Sequence, residues 1–129
     1  ICNMIISIDQ GTTSCRAILV NEKAQSIATA QNEFTQFFPK SGWVEHDPLE
    51  ILKCQLKVIN DLFEENNIDQ IKTIGITNQR ETIVAWNKKT GKPIYNAIVW
   101  QDTRTSDYCN DLKKKGYEPL IKDKTGLLL

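Results

Sequence analysis

The chain has 129 residues, and its 16 basic and 16 acidic side chains cancel. That is one domain's worth of length, and 40% hydrophobic residues can fill a core. No net field recommends nucleic acid or a charged surface as partner, and no apolar run is long enough to span a bilayer.

Met4-Ile5-Ile6-Ser7-Ile8 and Ala17-Ile18-Leu19-Val20 are short apolar runs with β-branched residues and read as strands. Between them lies Asp9-Gln10-Gly11-Thr12-Thr13-Ser14-Cys15-Arg16. Gly11 allows close backbone approach or positive φ. Thr12, Thr13 and Ser14 offer hydroxyls beside backbone N–H groups, and successive N–H groups in a turn can nest an anion. Asp9 is a hard oxygen ligand suited to Mg²⁺ or its waters, and Arg16 adds a fixed positive charge. These eight residues fit a Mg-nucleotide site or a polar hairpin turn, both of which use Gly, Thr and Ser.

Further along, Gln25 to Phe34 alternates as a third strand of an antiparallel meander. A loop punctuated by Pro39, Gly42 and Pro48 follows, and His46 is expected there as a locally bonded or solvated residue. Asp47-Pro48-Leu49-Glu50 opens a helix, with Asp47 as N-cap, Pro48 at its first position and Glu50 completing a capping box. Leu49, Leu52, Leu56, Ile59 and Phe63 recur at helical spacing and form the expected core stripe. The helix should fade near Asn66-Asn67.

Residues Ile71 to Thr77 are the next strand, and the polar Asn78-Gln79-Arg80-Glu81 follows at its end, where a crevice can form. Thr82 to Trp86 and Ile94 to Trp100 read as paired strands around a Thr90-Gly91 hairpin loop. Thr103 or Asp102 is expected to cap a helix running through Lys115, with Lys113-Lys114-Lys115 as its solvated end, Gly116 as its stop and one short turn at Leu120-Ile121. Trp43 and Trp86 are expected to pack, and Asp102 and Arg104 to form a cap and an ion pair.

Cys2, Cys15, Cys54 and Cys109 are scattered, with no Cys-x-x-Cys pair and a single histidine, which argues against zinc. Reduced thiols in a cytoplasmic protein are expected, Cys15 among them buried and inert. No signal peptide pattern opens the chain, and Met4 is the expected native start. The apolar Leu127-Leu128-Leu129 end reads as the edge of an N-terminal fragment. Neither a Walker loop nor a Rossmann glycine fingerprint occurs, so an ATP site here has to use the 9–14 loop.

Asp-Gln-Gly-Thr-Thr-Ser-x-Arg resembles the first phosphate loop of the sugar kinases of the actin/hexokinase superfamily. Asn78-Gln79-Arg80-Glu81-Thr82 and Asn96-Ala97-Ile98-Val99-Trp100-Gln101-Asp102-Thr103-Arg104 resemble the glycerol kinases among the FGGY carbohydrate kinases. The resemblance implies an α/β fold, a ribonuclease-H-like mixed sheet with flanking helices, here incomplete. Residues 1–129 then form the N-terminal part of the first lobe of a two-lobed kinase. It implies ATP-dependent phosphorylation of glycerol to sn-glycerol 3-phosphate with Mg²⁺, by a homo-oligomer when complete. Asp9 would hold Mg²⁺ directly or through water, while Thr12, Thr13, Ser14 and Arg16 serve phosphate. Arg80, Glu81 and Trp100 would hold glycerol, with Trp100 against its carbon edge. The catalytic base and adenine pocket are expected beyond Leu129, leaving the segment alone inactive. A kinase for another polyol or sugar, or a non-catalytic nucleotide-binding or interaction module, are the alternatives.

Overall fold

The computed structural model describes residues 3–66, 68 and 70–129. Strands β1 (Met4–Gln10), β2 (Ser14–Val20) and β3 (Ser26–Glu33) form the antiparallel meander, and β5 (Ile71–Thr77) pairs in parallel with β1, giving the order β3-β2-β1-β5. The sheet is therefore mixed, as expected. A short pair of β4 (Glu45–His46) and β6 (Ala97–Ile98) lies apart from it. Helices α1 (Pro48–Glu65), α2 (Ser106–Lys114) and α3 (Glu118–Thr125) complete the described elements.

Side chains alternate across a strand. Ile6 and Ile8 of β1 and Cys15, Ala17 and Leu19 of β2 all point to one face and are buried there under α1. From the helix, Cys54, Val58 and Leu62 meet them, and full burial of a Val or Leu contributes roughly 1.5–3 kcal/mol. Asp9 and Arg16 are register partners and fall on the opposite face.

Asp47 caps α1 as expected, its Oδ1 accepting from Leu49 N at 2.8 Å. Glu50 does not close a capping box. Its Oε1 accepts from Thr35 N at 2.9 Å and Thr35 Oγ1 at 2.8 Å, which ties the end of the meander to the helix instead. The core stripe is also corrected. Leu49, Leu52, Leu56 and Phe63 are exposed, and of the expected five only Ile59 packs on the core. The helix carries two apolar stripes, and the sheet takes the one that includes Cys54 and Gln55. Both find backbone acceptors there: Cys54 Sγ donates to Asn32 O and Gln55 Nε2 to Arg16 O. The helix ends at Glu65 with Asn66 as C-cap; Asn67 lies outside the described residues.

The expected strands over Thr82–Trp86 and Ile94–Trp100 are not continuous. Isolated bridges Ile83–Ile98 and Trp86–Pro93 hold the hairpin, and Ala97–Ile98 pairs with Glu45–His46. Neither Asp102 nor Thr103 caps α2, which starts after Thr105. Lys113 and Lys114 do close it, and Gly116 follows at φ 81°, where glycine carries no steric penalty. The turn expected at Leu120-Ile121 is the longer α3. No helix among the described residues is long and apolar enough to cross a membrane.

Candidate functional site

The β1–β2 hairpin closes tightly. Gly11 N donates to Ser14 O at 2.9 Å, and a Cβ on Gly11 would sit 2.9 Å from that same backbone oxygen. Glycine is thus required here for close approach. The three-residue loop lifts Thr12 and Thr13 above the sheet end, and Gln36 Nε2 holds it from below through Thr12 O at 3.2 Å. Ser14 Oγ accepts from Gln31 Nε2 at 2.9 Å, and Gln31 Oε1 accepts from Arg16 Nε at 3.1 Å. Register places Gln31, Arg16, Asp9 and Thr77 in one row across the sheet, on the face away from α1.

Parallel pairing with β1 brings the end of β5 beside that loop, so Asn78 to Glu81 emerge next to Thr12. Gln79 O accepts from Thr82 N at 3.4 Å across a turn, and inside it Glu81 adopts φ 69°. A non-glycine residue in this region is uncommon and costs about 1–2 kcal/mol. Among the described residues neither Arg80 nor Glu81 forms an ion pair.

Trp100 arrives from the segment after β6. Its backbone N donates to Thr82 Oγ1 at 3.2 Å, and its indole Nε1 to Thr12 Oγ1 at 3.0 Å. Thr12, Asn78, Gln79, Arg80, Glu81 and Trp100 line one hollow of about 330 Å³. Two stretches separated by most of the chain are thus one site. Of the residues expected to serve phosphate, Thr12 reaches it. Thr13 is exposed at the loop tip, and Asp9, Ser14 and Arg16 belong to the adjoining sheet face rather than to the hollow's lining.

Under the Trp100 segment lies a buried charge cluster. Arg104 Nη2 donates to Glu45 Oε1 at 2.8 Å and to Asp102 Oδ2 at 2.7 Å, while Val44 N also donates to Asp102 at 2.7 Å. Tyr95 Oη and Asn96 Nδ2 complete the donors to Glu45. The Arg104 guanidinium beside Asp102 holds that carboxyl down at about 2. Burial pushes the Glu45 carboxyl up, but the hydrogen bonds from Arg104, Asn96 and Tyr95 outweigh it and leave the pKa lowered. Trp43 stacks against Arg104, its ring centroid 3.7 Å from Cζ. Asp102 and Arg104 form the expected ion pair; Glu45 is its unforeseen third member.

Burial pushes the Cys15 thiol up to about 12, with the Cys54 thiol and the Asp9 carboxylate adding to it. Cys15 is therefore inert at neutral pH. Cys15, Cys54 and Cys109 are free thiols; Cys2 lies outside the described residues. No group of three or more metal-ligating His, Cys, Asp or Glu side chains occurs among the described residues. Asp9 is the acidic residue expected from the motif, and one carboxylate suits a hard cation carried mainly by substrate phosphates and water.

The N-terminal-domain profile of the FGGY family of carbohydrate kinases matches residues 4–129. The chain belongs to the FGGY family of carbohydrate kinases. Glycerol kinase of Plasmodium falciparum, solved with ADP, is 37% identical with a TM-score of 0.88, over 98% of this chain and 26% of that one. Gluconate kinase of Lactobacillus acidophilus is 24% identical with a TM-score of 0.89, over 98% of this chain and 25% of that one. Xylulose kinase of the same organism is 23% identical with a TM-score of 0.86, over 94% of this chain and 24% of that one. The last two likenesses speak to the fold alone. The mixed sheet and its helices thus match the actin/hexokinase-like fold of FGGY kinases, and the chain spans about a quarter of the length of these solved relatives.

Proposed function

We propose that this chain is part of the first lobe of an ATP-dependent glycerol kinase, which transfers the γ-phosphoryl group to a terminal hydroxyl and yields sn-glycerol 3-phosphate. The observation that carries the reading is the shared hollow, where Thr12 of the phosphate loop meets Arg80, Glu81 and Trp100. The 37% identity to a glycerol kinase and the Gln79-Arg80-Glu81-Thr82 run support glycerol as the acceptor.

Phosphoryl transfer depends mainly on positioning and charge neutralisation. Arg80 presents a fixed fork of donors and Glu81 an acceptor pair, the complement of vicinal hydroxyls. The exposed face of Trp100 covers the carbon edge of the triol. Thr12, Thr13 and Ser14 supply hydroxyl and backbone donors to phosphate, and Arg16 offsets charge on it. Asp9 is the residue to hold Mg²⁺, directly or through water; that ion supplies charge neutralisation on the nucleotide phosphates. The general base and the adenine pocket belong to parts of the kinase outside this chain. We place the complete enzyme in the cytoplasm as a homo-oligomer. A kinase for another polyol or sugar of the same family is the second reading, since the family profile covers carbohydrate kinases as a class.

Arg80→Ala and Glu81→Ala in the full-length kinase test the assignment. Each should weaken glycerol use by about ten- to a hundredfold, the worth of a hydrogen bond to a charged group, and leave the ATP Michaelis constant near wild type. A change in the ATP constant with the glycerol constant spared would overturn it.

A further inference from the structure

We propose that His46 is a positioning residue, which locks the phosphate-loop side of the hollow to its polyol side through a closed ring of hydrogen bonds. The inference rests on the kinase reading above. His46 is fully buried and does not line the hollow. The Phe34 ring meets it edge-on, with centroids 5.0 Å apart.

The ring runs as follows. Trp100 N donates to Thr82 Oγ1 at 3.2 Å, and Thr82 Oγ1 donates to Gln79 Oε1 at 3.0 Å. Gln79 Nε2 then faces His46 Nδ1 at 3.3 Å, and His46 Nε2 faces Gln36 Oε1 at 2.5 Å. Gln36 Nε2 donates to Thr12 O at 3.2 Å, and Thr12 Oγ1 accepts from Trp100 Nε1 at 3.0 Å, which closes the circuit.

Its polarity is fixed at the Gln36 end. A backbone N–H can only donate, so Thr82 Oγ1 accepts from Trp100, and its own proton is directed at Gln79 Oε1. A backbone carbonyl can only accept, so Gln36 turns its amide nitrogen to Thr12 and its oxygen to His46. With Gln36 Oε1 accepting from His46 Nε2 and the Gln79 amide nitrogen turned toward Nδ1, the ring closes on a neutral imidazole whose proton sits on Nε2. A second proton would set an N–H against the Gln79 amide nitrogen and require that amide to turn over. Burial holds the imidazole pKa below its usual value, in keeping with that state, although Glu50 opposes the shift.

The ring joins segments that have separate backbone anchors. Thr12 belongs to the β1–β2 hairpin, Gln79 and Thr82 to the turn after β5, and Trp100 to the chain after β6. His46 itself pairs with Ala97 of β6. Phosphoryl transfer needs donor and acceptor held near attack distance, and a misplacement of about 1 Å can cost a hundredfold in rate. A buried, uncharged link between the two sides sets that distance without touching either substrate.

The test compares His46→Leu, His46→Gln and Thr82→Val with wild type in the full-length kinase. Leu fills the space without hydrogen bonds, Gln keeps one donor and one acceptor, and Thr82→Val opens the ring without touching His46. Folded His46→Leu should lose about ten- to a hundredfold in kcat, with both Michaelis constants within about threefold of wild type. His46→Gln should recover most of that loss. Thr82→Val should show the same kcat-selective defect, and the His46→Leu/Thr82→Val double variant should fall little below the worse single one. Should His46→Leu fail to fold, Thr82→Val and His46→Gln decide the matter by the same criterion. Wild-type kcat in a folded ring-opened variant, multiplicative losses, or a defect confined to melting temperature or to one Michaelis constant would overturn the proposal. The polyol preferred by the wild type is read in the same assay. If that is another sugar, the glycerol reading falls, while the kcat comparison made on that sugar still decides the ring.

Discussion

Trp100 donates its indole N–H to the hydroxyl of Thr12 across 3.0 Å. Thr12 caps the first hairpin, and Trp100 stands beside the acidic–basic turn of Arg80 and Glu81. One hydrogen bond therefore spans the boundary between the proposed phosphate loop and the proposed polyol site. Trp100→Phe keeps the apolar face and removes this donor. We expect it to lower kcat more than it raises the glycerol Michaelis constant; steady-state kinetics of the full-length kinase measure both. The opposite split would mean that Trp100 acts through binding alone.

Glu81 sits at φ 69° with an exposed side chain, so its conformation is strained without a compensating burial. Glu81→Gly should relieve about 1 kcal/mol of that strain and raise or preserve the melting temperature, while glycerol use collapses. Calorimetry on the variant checks the first half and initial rates the second. A clear loss of stability would show that Glu81 supports the turn.

Arg104 neutralises two buried carboxylates at once. Arg104→Met should cost about 3–5 kcal/mol, because Glu45 and Asp102 remain buried without their partner. In wild type, Asp102 favours folding above its usual pKa of 3.8, and this contribution is lost as pH falls through about 2. The variant should reverse the trend and gain stability on mild acidification, as the stranded carboxyls take up protons. Denaturant melts across acidic pH distinguish the two slopes.

His46 titrates in the other window. Its folded pKa lies below 6.5, so the unfolded chain takes the proton first. Stability is complete above that value and declines as pH falls below it. His46→Gln removes the titrating group and should flatten this part of the profile between about pH 7.5 and about pH 5. Equal slopes in the two proteins would contradict a buried neutral imidazole.

The meander, the helix start and the strand over residues 71–77 were legible because each is written locally, in alternation, in Asp47-Pro48 and in a bounded apolar run. The stripe of α1 was not. Leu49, Leu52 and Leu56 look more apolar than Cys54 and Gln55, yet only the tertiary position of β2 decides which stripe meets the sheet. Glu50 likewise matched a capping box, but a competing acceptor role at Thr35, distant in sequence, won. The site's members Thr12, Arg80, Glu81 and Trp100 carried motif signals. Their meeting in one hollow, and the parts played by Gln36, His46 and Glu45, depend on contacts between distant segments. The polar Glu45-His46 pair in an otherwise turn-like loop was the one available hint.

Asp9 shares a register row with Arg16 and Thr77 and is the proposed metal residue. Asp9→Asn in the full-length kinase should cut turnover by orders of magnitude with the fold intact, because it removes a charge that a Mg²⁺ site needs. Rates at ordinary and raised Mg²⁺, alongside circular dichroism, provide the check. Wild-type turnover at ordinary Mg²⁺ would remove Asp9 from the site.

The central claim is that the hollow beside Thr12 accepts glycerol. Its most direct test is a competition assay, in which the full-length kinase is given ATP with glycerol, gluconate and xylulose at equal concentration and the phosphorylated products are quantified. We predict that glycerol 3-phosphate dominates, with the preference abolished by Arg80→Ala. Predominant phosphorylation of gluconate or xylulose, or a glycerol preference that survives the loss of Arg80, would contradict the account.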